Sequence, residues 1–312
     1  MKALCYDGTQ AVYTEEREMP KPGDTESLVR ILVSGVCNTD KEILKGYRPD
    51  FRGVMGHEFI GIVEQSKDPF WIGKRVAGEI NAGCGTCLYC RTGREKHCET
   101  RRTLGMSGGK DGCFAEYMTI ENHLLHEVPE KLPTEVAVFT EPLAAALEIL
   151  SQVHIKPESK TALIGDGRLA FMIAQVLALT GTDLTVIGKH EEKLELFKEY
   201  GKTTTATEET FDNVVDATGS ASGIGLAMKI VRRQGVIILK STYSGLANVD
   251  MTSLVVNEIT VVGSRCGPFE PALKLLASGR VKLPDVKLYD LKDYREAFSS
   301  PEFKAGFFIG KE

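Results

Sequence analysis

Four cysteines fall within 15 residues of one another: Cys84, Cys87, Cys90 and Cys98. Their thiolates are soft ligands, and four of them suit a closed tetrahedral zinc site with no open position for a substrate. The spacing therefore predicts a structural zinc. Free buried thiols and an iron–sulfur cluster are the alternatives. The cluster is disfavoured because ferredoxin sequences space the fourth cysteine differently and usually place a proline after it.

Candidate metal ligands also lie in two other short segments, where Cys37 and His57 are 20 residues apart. Taken alone, each has an ordinary structural explanation: a buried cysteine beside a strand, and a histidine satisfied by a local hydrogen bond. Glu141 is similarly ambiguous, because a carboxylate at a helix start interacts favourably with the helix dipole. By themselves, these residue types leave a metal role and a structural role both open.

The segment Gly165-Asp166-Gly167-Arg168-Leu169-Ala170 follows an apolar strand pattern and opens an amphipathic helix pattern. This is the context of a dinucleotide-binding fingerprint. Gly165 permits a tight turn, Gly167 lets a pyrophosphate approach the backbone, and the small Ala170 allows close helix–strand packing. The alternative is a glycine-rich turn without a ligand. We expect Gly165, Gly167 and Ala170 to bind a dinucleotide.

The next predicted strand ends in Gly188-Lys189-His190, where an acidic residue would normally hold the ribose 2′-hydroxyl of NAD. A small residue and a cation at this point suit the 2′-phosphate of NADP instead. Glu191 and Glu192 follow closely and weaken this argument. We predict that Gly188, Lys189 and His190 contact the cofactor, and that NADP is favoured over NAD.

The composition excludes several classes of protein. With 38 Lys and Arg against 43 Asp and Glu, the chain has a net charge of −5, so nucleic acid is not an expected partner. The sequence begins without a signal-peptide pattern, and its longest near-apolar run is too short for a membrane span. We therefore expect a cytoplasmic protein with no membrane partner, in which cysteines serve as thiols or metal ligands.

The pattern of apolar residues changes twice along the 312 residues. Residues 1–147 contain short strand-like runs broken by glycine and proline, which indicates a β-rich unit. Residues 148–264 alternate apolar strands with amphipathic helices, which predicts a doubly wound parallel sheet. The pattern loosens again over residues 265–312. The predicted fold class is α/β.

Several of these motifs, in this order along the chain, resemble the zinc-containing medium-chain dehydrogenase/reductase family. The third ligand position resembles the sorbitol, threonine and glucose dehydrogenase branch, in which a glutamate replaces a cysteine. The segments that carry the resemblance are Cys37-x-Thr39-Asp40, Gly56-His57-Glu58, the four-cysteine loop, Phe114-Ala115-Glu116-Tyr117, Glu141-Pro142-Leu143 and the fingerprint at Gly165.

The resemblance implies a fold. A GroES-like catalytic domain would be formed by residues 1–147 and 265–312, and a Rossmann domain by residues 148–264. It also implies two zinc ions per chain, with the catalytic zinc held by Cys37, His57 and Glu141. By the same resemblance, the protein is expected to be a dimer or tetramer of identical chains.

The resemblance further assigns roles to three neighbouring residues. Thr39 would relay the alcohol proton, and Asp40 would hydrogen-bond the ligand histidine. Glu58 would be either an exchangeable ligand of the zinc or a carboxylate next to its ligands. Many relatives end the proton relay with a histidine five residues after the ligand cysteine. This chain has Glu42 there, so the relay beyond Thr39 stays open.

Together these observations predict a zinc-dependent oxidoreductase that transfers a hydride between NAD(P) and a secondary alcohol, polyol, sugar or amino alcohol. Three ligands and one open position are typical of a catalytic zinc. One alternative is an NADPH-dependent aldehyde or ketone reductase. Another is a catalytically silent nicotinamide-binding scaffold, although such a protein has no chemical need for a complete ligand set.

Overall fold

The computed structural model describes residues 1–243 and 246–311. The chain divides into two compact units, one of Met1–Glu141 with Ala272–Glu312 and one of Pro142–Pro271. We call them unit 1 and unit 2. The domain limits predicted from the sequence, after residues 147 and 264, lie a few residues from these divisions and stay a prediction.

Unit 1 begins with a series of short strands. The elements up to residue 152 are β1 Ala3–Tyr6, β2 Ala11–Thr14, β3 Glu26–Gly35, α1 Asn38–Leu44, β4 Gly53–Val54, β5 Glu58–Ser66, β6 Arg75–Gly78, β7 Asn81–Ala82, α2 Leu88–Arg91, β8 Arg102–Thr103, β9 Tyr117–Glu121, β10 Leu125–Glu127, α3 Thr134–Ala137 and α4 Thr140–Gln152.

Unit 2 alternates strands with helices, as the sequence pattern predicts. Its elements are β11 Lys160–Ile164, α5 Arg168–Ala178, β12 Asp183–Ile187, α6 Glu191–Leu194, β13 Lys202–Thr204, β14 Phe211–Asp216, α7 Ser222–Ile230, β15 Val231–Leu239, α8 Met251–Val256 and β16 Thr260–Gly263. Helix α9, Phe269–Ala277, begins in unit 2 and continues into unit 1. Unit 1 then continues with β17 Val286–Tyr289, α10 Tyr294–Ser299 and β18 Lys304–Phe308.

The main sheet of unit 1 brings the two distant parts of the chain together. Among the described residues its strand order is β10-β6-β5-β3-β18-β17, and β9 also pairs with β3. The C-terminal strand β18 pairs antiparallel with β3, which pairs antiparallel with β5 on its other side. The last strand of the chain is therefore built into the middle of the sheet.

The sheet of unit 2 is parallel throughout the described strands, in the order β13-β12-β11-β14-β15-β16. The C-terminal halves of its inner strands are mostly apolar and largely buried, because helices cover both faces of such a sheet. On one side, Ile164, Val214 and Ile237 pack with Ile224 and Ile230 of α7. This strand order is that of a Rossmann fold, so the predicted doubly wound sheet is confirmed.

None of the helices in the described ranges has both the length and the apolar composition of a membrane span.

Candidate catalytic and cofactor sites

Three predicted site residues meet in unit 1. The sulfur of Cys37, a ring nitrogen of His57 and a carboxylate oxygen of Glu58 all lie within 4.8 Å of one another. His57 and Glu58 are buried, whereas Cys37 is partly exposed. A thiolate, an imidazole and a carboxylate are donor types that zinc accepts. The spacing of these atoms therefore fits a single ion of this kind.

Local sequence explains how Cys37 and His57 are held. Cys37 is the residue before α1, and its backbone N–H donates to Asp40 Oδ2 at 2.8 Å, so Asp40 helps to begin the helix. The other oxygen of Asp40 lies 3.4 Å from Nδ1 of His57. Both of these atoms are buried and lack a hydrogen-bond partner in the described part of the chain. Asp40 thus faces the ring without a formed hydrogen bond, and the hydrogen bond that the resemblance implies stays a prediction.

The surroundings of His57 favour positive charge. Burial acts to lower its pKa, but Asp40 and Cys37 outweigh burial and raise the pKa well above the ordinary value. A buried place that stabilises a cation next to a thiol and a carboxylate suits a metal ion.

Thr39 lies close to the cluster, because its Oγ1 is 3.7 Å from Cys37 Sγ. Glu42 is on the same helix and pairs with Lys45 at 2.9 Å in an exposed position. The structure therefore places Thr39 beside the ligand candidates and Glu42 in a surface ion pair.

Lys304 is a site residue that the sequence did not reveal. Its ammonium forms a buried ion pair with Glu58 Oε2 and also donates to the carbonyl of Val36 at 3.2 Å. Lys304 lies on β18 and Glu58 on β5, the two strands that flank β3. Gly35 of β3 leaves space for the ion pair. A Cβ at Gly35 would lie 2.9 Å from Lys304 Cε. The sequence signal was a single lysine within an otherwise apolar strand.

Glu141 lies in the first turn of α4 and is partly exposed. Among the described residues, the group within 4.8 Å contains Glu58 and does not include Glu141. The ligand role of Glu141 therefore stays a prediction.

The four clustered cysteines meet in a second group, with all four sulfurs within 4.8 Å of one another. The Cys87 and Cys90 sulfurs are 3.5 Å apart, and those of Cys84 and Cys90 are 4.0 Å apart. Four sulfurs bound tetrahedrally at 2.3 Å from zinc would be about 3.8 Å apart. Backbone N–H groups of Cys84 and Cys87 point at Cys98 Sγ and Cys84 Sγ. This geometry fits a closed zinc site.

The protonation of these thiols differs with their surroundings. Hydrogen bonds, above all from the Thr86 hydroxyl, lower the pKa of Cys84 to about 5. The Thr100 hydroxyl and the Cys84 N–H lower the pKa of Cys98. Desolvation raises the pKa of Cys90 to about 12. Part of the loop is thus already arranged to stabilise negative sulfur.

The fingerprint in unit 2 joins β11 to α5, as predicted. Gly165 has φ +130°, and a Cβ there would lie 2.8 Å from the carbonyl oxygen of Ala217. Only glycine adopts this conformation without strain. A Cβ at Gly167 would have no neighbour within 4 Å, and Ala170 is fully buried in α5. The turn thus leaves open backbone at the helix start, which fits a pyrophosphate.

The turn after β12 contacts a further residue of the cofactor site, Asp166. Gly188 is buried, while Lys189 and His190 are exposed. The backbone N–H groups of Lys189 and His190 donate hydrogen bonds to Asp166, the residue between the two fingerprint glycines. The His190 ring nitrogen Nδ1 contacts the same carboxylate. The glycine pattern alone assigned no role to Asp166.

Comparison with known proteins supports this combination of folds. The family model "Alcohol dehydrogenase GroES-like domain" matches residues 23–130. A sorbitol dehydrogenase of Halalkalibacterium halodurans is 28% identical over 309 residues, which cover 90% of each chain.

Two solved structures are similar over nearly the whole length. The cobalt- and zinc-bound thermostable alcohol dehydrogenase of Pyrobaculum aerophilum is 26% identical, with a TM-score of 0.86 and 99% of each chain covered. The acetophenone reductase of Geotrichum candidum in complex with NAD is 25% identical, with a TM-score of 0.88, and the match covers 98% of this chain and 96% of that one.

The Rossmann sheet and the GroES-like domain define the class: this is an NAD(P)-dependent dehydrogenase, and the predicted α/β fold is confirmed. In sequence and fold the chain is similar to the zinc-containing medium-chain dehydrogenase/reductase family. The comparisons support an NAD(P)-dependent alcohol or polyol oxidoreductase.

Proposed function

We propose that the protein transfers a hydride between NAD(P) and a secondary hydroxyl group of a polyol, sugar or amino alcohol, with a catalytic zinc. The observation that carries this proposal is the close approach of Cys37, His57 and Glu58 in a buried setting that favours a cation. The similar sorbitol dehydrogenase supports a polyol as the substrate class.

The proposed ligands of the catalytic zinc are Cys37, His57 and Glu141. Glu58 is also close, but one of its oxygens is already paired with the ammonium of Lys304. We therefore assign Glu58 to the position of an exchangeable carboxylate beside the ion. Three protein ligands would leave one position open for substrate, which is typical of catalytic zinc.

A zinc ion held there supplies Lewis acidity, which favours loss of the alcohol proton. Thr39 would accept that proton and pass it on, as the resemblance implies. Its Oγ1 lies 3.7 Å from Cys37 Sγ, which supports a position beside the ion. Asp40 faces Nδ1 of His57 and holds the Cys37 backbone, and so orients two ligands together. The ion pair with Lys45 holds Glu42 at the surface.

The cofactor is proposed to bind unit 2. Gly165, Gly167 and Ala170 would accommodate the pyrophosphate at the start of α5. Gly188, Lys189 and His190 would lie beside the adenosine ribose. Both NAD and NADP are nicotinamide cofactors that such a site accepts. The preference for NADP that Lys189 suggests stays a prediction.

We further propose a second, structural zinc on Cys84, Cys87, Cys90 and Cys98, which gives two zinc ions per chain. The sulfur spacing and the lowered pKa of Cys84 and Cys98 support it. Four thiolates would leave no position for substrate, so this ion would stabilise its loop.

A dimer or tetramer of identical chains is the proposed assembly. Among the described strands, β16 is at one of the two edges of the unit 2 sheet, and Val261 on it is exposed. Met251, Val255 and Val256 of the preceding α8 are also exposed. An unpaired strand edge beside apolar side chains is complementary to the same edge of a second copy. Light scattering on the wild type and on Val261→Lys would measure the assembly, which we expect the lysine to disrupt.

We also propose that the protein is cytoplasmic. None of the eight cysteines forms a disulfide in the described ranges, which is typical of a reducing compartment. Fractionation of the native host cells would test it.

The experiment that tests the function measures the initial rate of nicotinamide reduction by zinc-loaded protein. NAD and NADP are each combined with sorbitol, arabitol, aldoses, threonine and simple secondary alcohols. We expect a rate that a chelator abolishes and that zinc restores. Cys37→Ser should lose this rate together with one zinc per chain, whereas Cys5→Ser, which changes a thiol outside both clusters, should retain both.

The reverse assay, with aldehydes or ketones and NADPH, tests the reductase alternative. Activity only in that direction would replace the proposed dehydrogenase. Absence of any rate in either direction, in protein that binds only one zinc ion per chain, would contradict the proposed function and favour a silent scaffold.

A further inference from the structure

Asp166 lies between the two fingerprint glycines, and its carboxylate contacts the turn after β12. Its Oδ2 accepts hydrogen bonds from the backbone N–H groups of Lys189 at 2.8 Å and His190 at 2.9 Å. The ring nitrogen Nδ1 of His190 lies 2.8 Å from the same oxygen. These contacts fix the carboxylate, whose side chain is only 13% exposed.

The carboxylate occupies the space that a side chain at position 188 would otherwise fill. A Cβ at Gly188 would lie 2.8 Å from Asp166 Cβ and 3.0 Å from Asp166 Oδ2. In dinucleotide sites of this type, an acidic residue near the end of the second strand holds the ribose 2′-hydroxyl of NAD. Here the end of the strand has no acid, and a carboxylate reaches the same place from the first turn.

The carboxylate is ionised at neutral pH. Partial burial acts to raise the pKa of Asp166, but hydrogen bonds from the backbone and ring of His190 and from the Lys189 N–H outweigh it and lower the pKa. No residue of the described ranges donates a hydrogen bond to Oδ1. This oxygen is therefore an available acceptor with a negative charge.

We infer that Asp166 makes the protein selective for NAD over NADP, an inference that rests on the proposed function. Its free oxygen would accept a hydrogen bond from the ribose 2′-hydroxyl. A 2′-phosphate, with a charge of about −1.5 to −2, would instead face a fixed carboxylate. The N–H groups of Lys189 and His190, which are natural donors to a phosphate, are already bonded to Asp166.

This inference reverses the preference that Lys189 alone suggests. Lys189 is exposed, so water and salt screen its charge. The carboxylate of Asp166 is mostly buried and fixed by hydrogen bonds, so its charge is screened less. The negative group therefore has the larger effect on a bound phosphate.

The test compares the dissociation constants of NADH and NADPH by calorimetry, which requires no substrate turnover. We expect the wild type to bind NADH at least about tenfold more tightly, a difference of about 1.4 kcal/mol. Asp166→Asn should bind NADPH at least about tenfold more tightly than the wild type. Its amide oxygen can still accept the backbone N–H groups, while its NH₂ group becomes a donor to phosphate.

Asp183→Asn is the matched control. It removes the same charge from the other end of β12, roughly 13 Å along the strand from its last residue, where the exposed carboxylate pairs with Lys202. This variant should leave the ratio of the two dissociation constants unchanged. Tighter NADPH binding by Asp166→Asn requires folded protein. If this variant does not fold, the ratio of the NADH and NADPH dissociation constants of the wild type still tests the inferred preference for NAD.

Equal affinity for the two cofactors in the wild type, or tighter binding of NADPH, would overturn the role of Asp166 and leave the proposed dehydrogenase intact. An unchanged ratio in folded Asp166→Asn would do the same. Failure of the wild type to bind either cofactor would overturn the proposed function as well.

Discussion

Replacing Lys304 with methionine removes a buried cation and leaves Glu58 with an unpaired charge. The two side chains are 4% and 1% exposed, so solvent does not compensate for the lost partner. Removing one member of a buried ion pair costs about 3–5 kcal/mol. With a urea m-value of about 2 kcal/mol/M, the unfolding midpoint should fall by about 1.5–2.5 M. Methionine keeps the length and most of the apolar volume of the lysine side chain.

Trp71 makes the assay specific for the unit that contains the pair. It is the single tryptophan of the chain, and it lies in unit 1 with Lys304 and Glu58. Its fluorescence during equilibrium urea unfolding therefore follows unit 1, and the zinc content of each sample is measured alongside because Glu58 belongs to the cluster.

Lys67→Met is the matched control, because Lys67 pairs with Asp24 at 2.5 Å on the surface of the same unit, with side chains 68% and 85% exposed. Its loss should cost less than about 1 kcal/mol. The double variant Lys304→Met/Glu58→Gln removes both charges and should recover most of the lost stability. If Lys304→Met and Lys67→Met shifted the midpoint equally, the reasoning about a buried pair would be refuted.

Four further substitutions test the metal sites and the fingerprint. Cys98→Ser should lower the zinc content from two ions to one per chain by elemental analysis, since three thiolates no longer close the structural site; two retained ions would contradict this. Asp40→Asn should weaken the catalytic zinc about 10- to 100-fold in chelator competition, because the ligand histidine loses its charged neighbour. Retention of both ions with full activity would refute that role. Gly165→Ala should destabilise unit 2 by about 1–3 kcal/mol, because φ is +130° and Ala217 is close. Gly167→Ala should leave thermal stability unchanged but weaken NADH binding, since its Cβ would enter open space; equal melting temperatures for the two variants would contradict this distinction.

The sequence predicted the local sites because their parts are close along the chain. The four cysteines lie on one loop, and Gly165 and Gly167 form a single turn between a strand and a helix. In such segments the spacing of residues nearly determines which atoms meet. The alternation of strands and helices likewise predicted the parallel sheet of unit 2.

The sequence patterns did not predict contacts between residues that are far apart along the chain. Lys304 and Glu58 are 246 residues apart and meet because β18 and β5 flank β3. Asp166 looked like the variable position of a glycine motif, and its contact with the turn at Lys189 depends on how two loops fold together. Residue types at the end of β12 therefore suggested NADP, while the role that we infer for Asp166 favours NAD.

The most direct test of the proposed chemistry is to follow the transferred hydrogen. The panel alcohol with the highest rate is deuterated at the carbinol carbon and incubated with its preferred oxidised cofactor and with metal-free or zinc-loaded protein. Mass spectrometry then reads the reduced cofactor. We predict one deuterium per reduced nicotinamide in the zinc-loaded sample and no reduced cofactor in the metal-free sample. Reduced cofactor without deuterium, or equal yields with and without zinc, would contradict zinc-dependent hydride transfer.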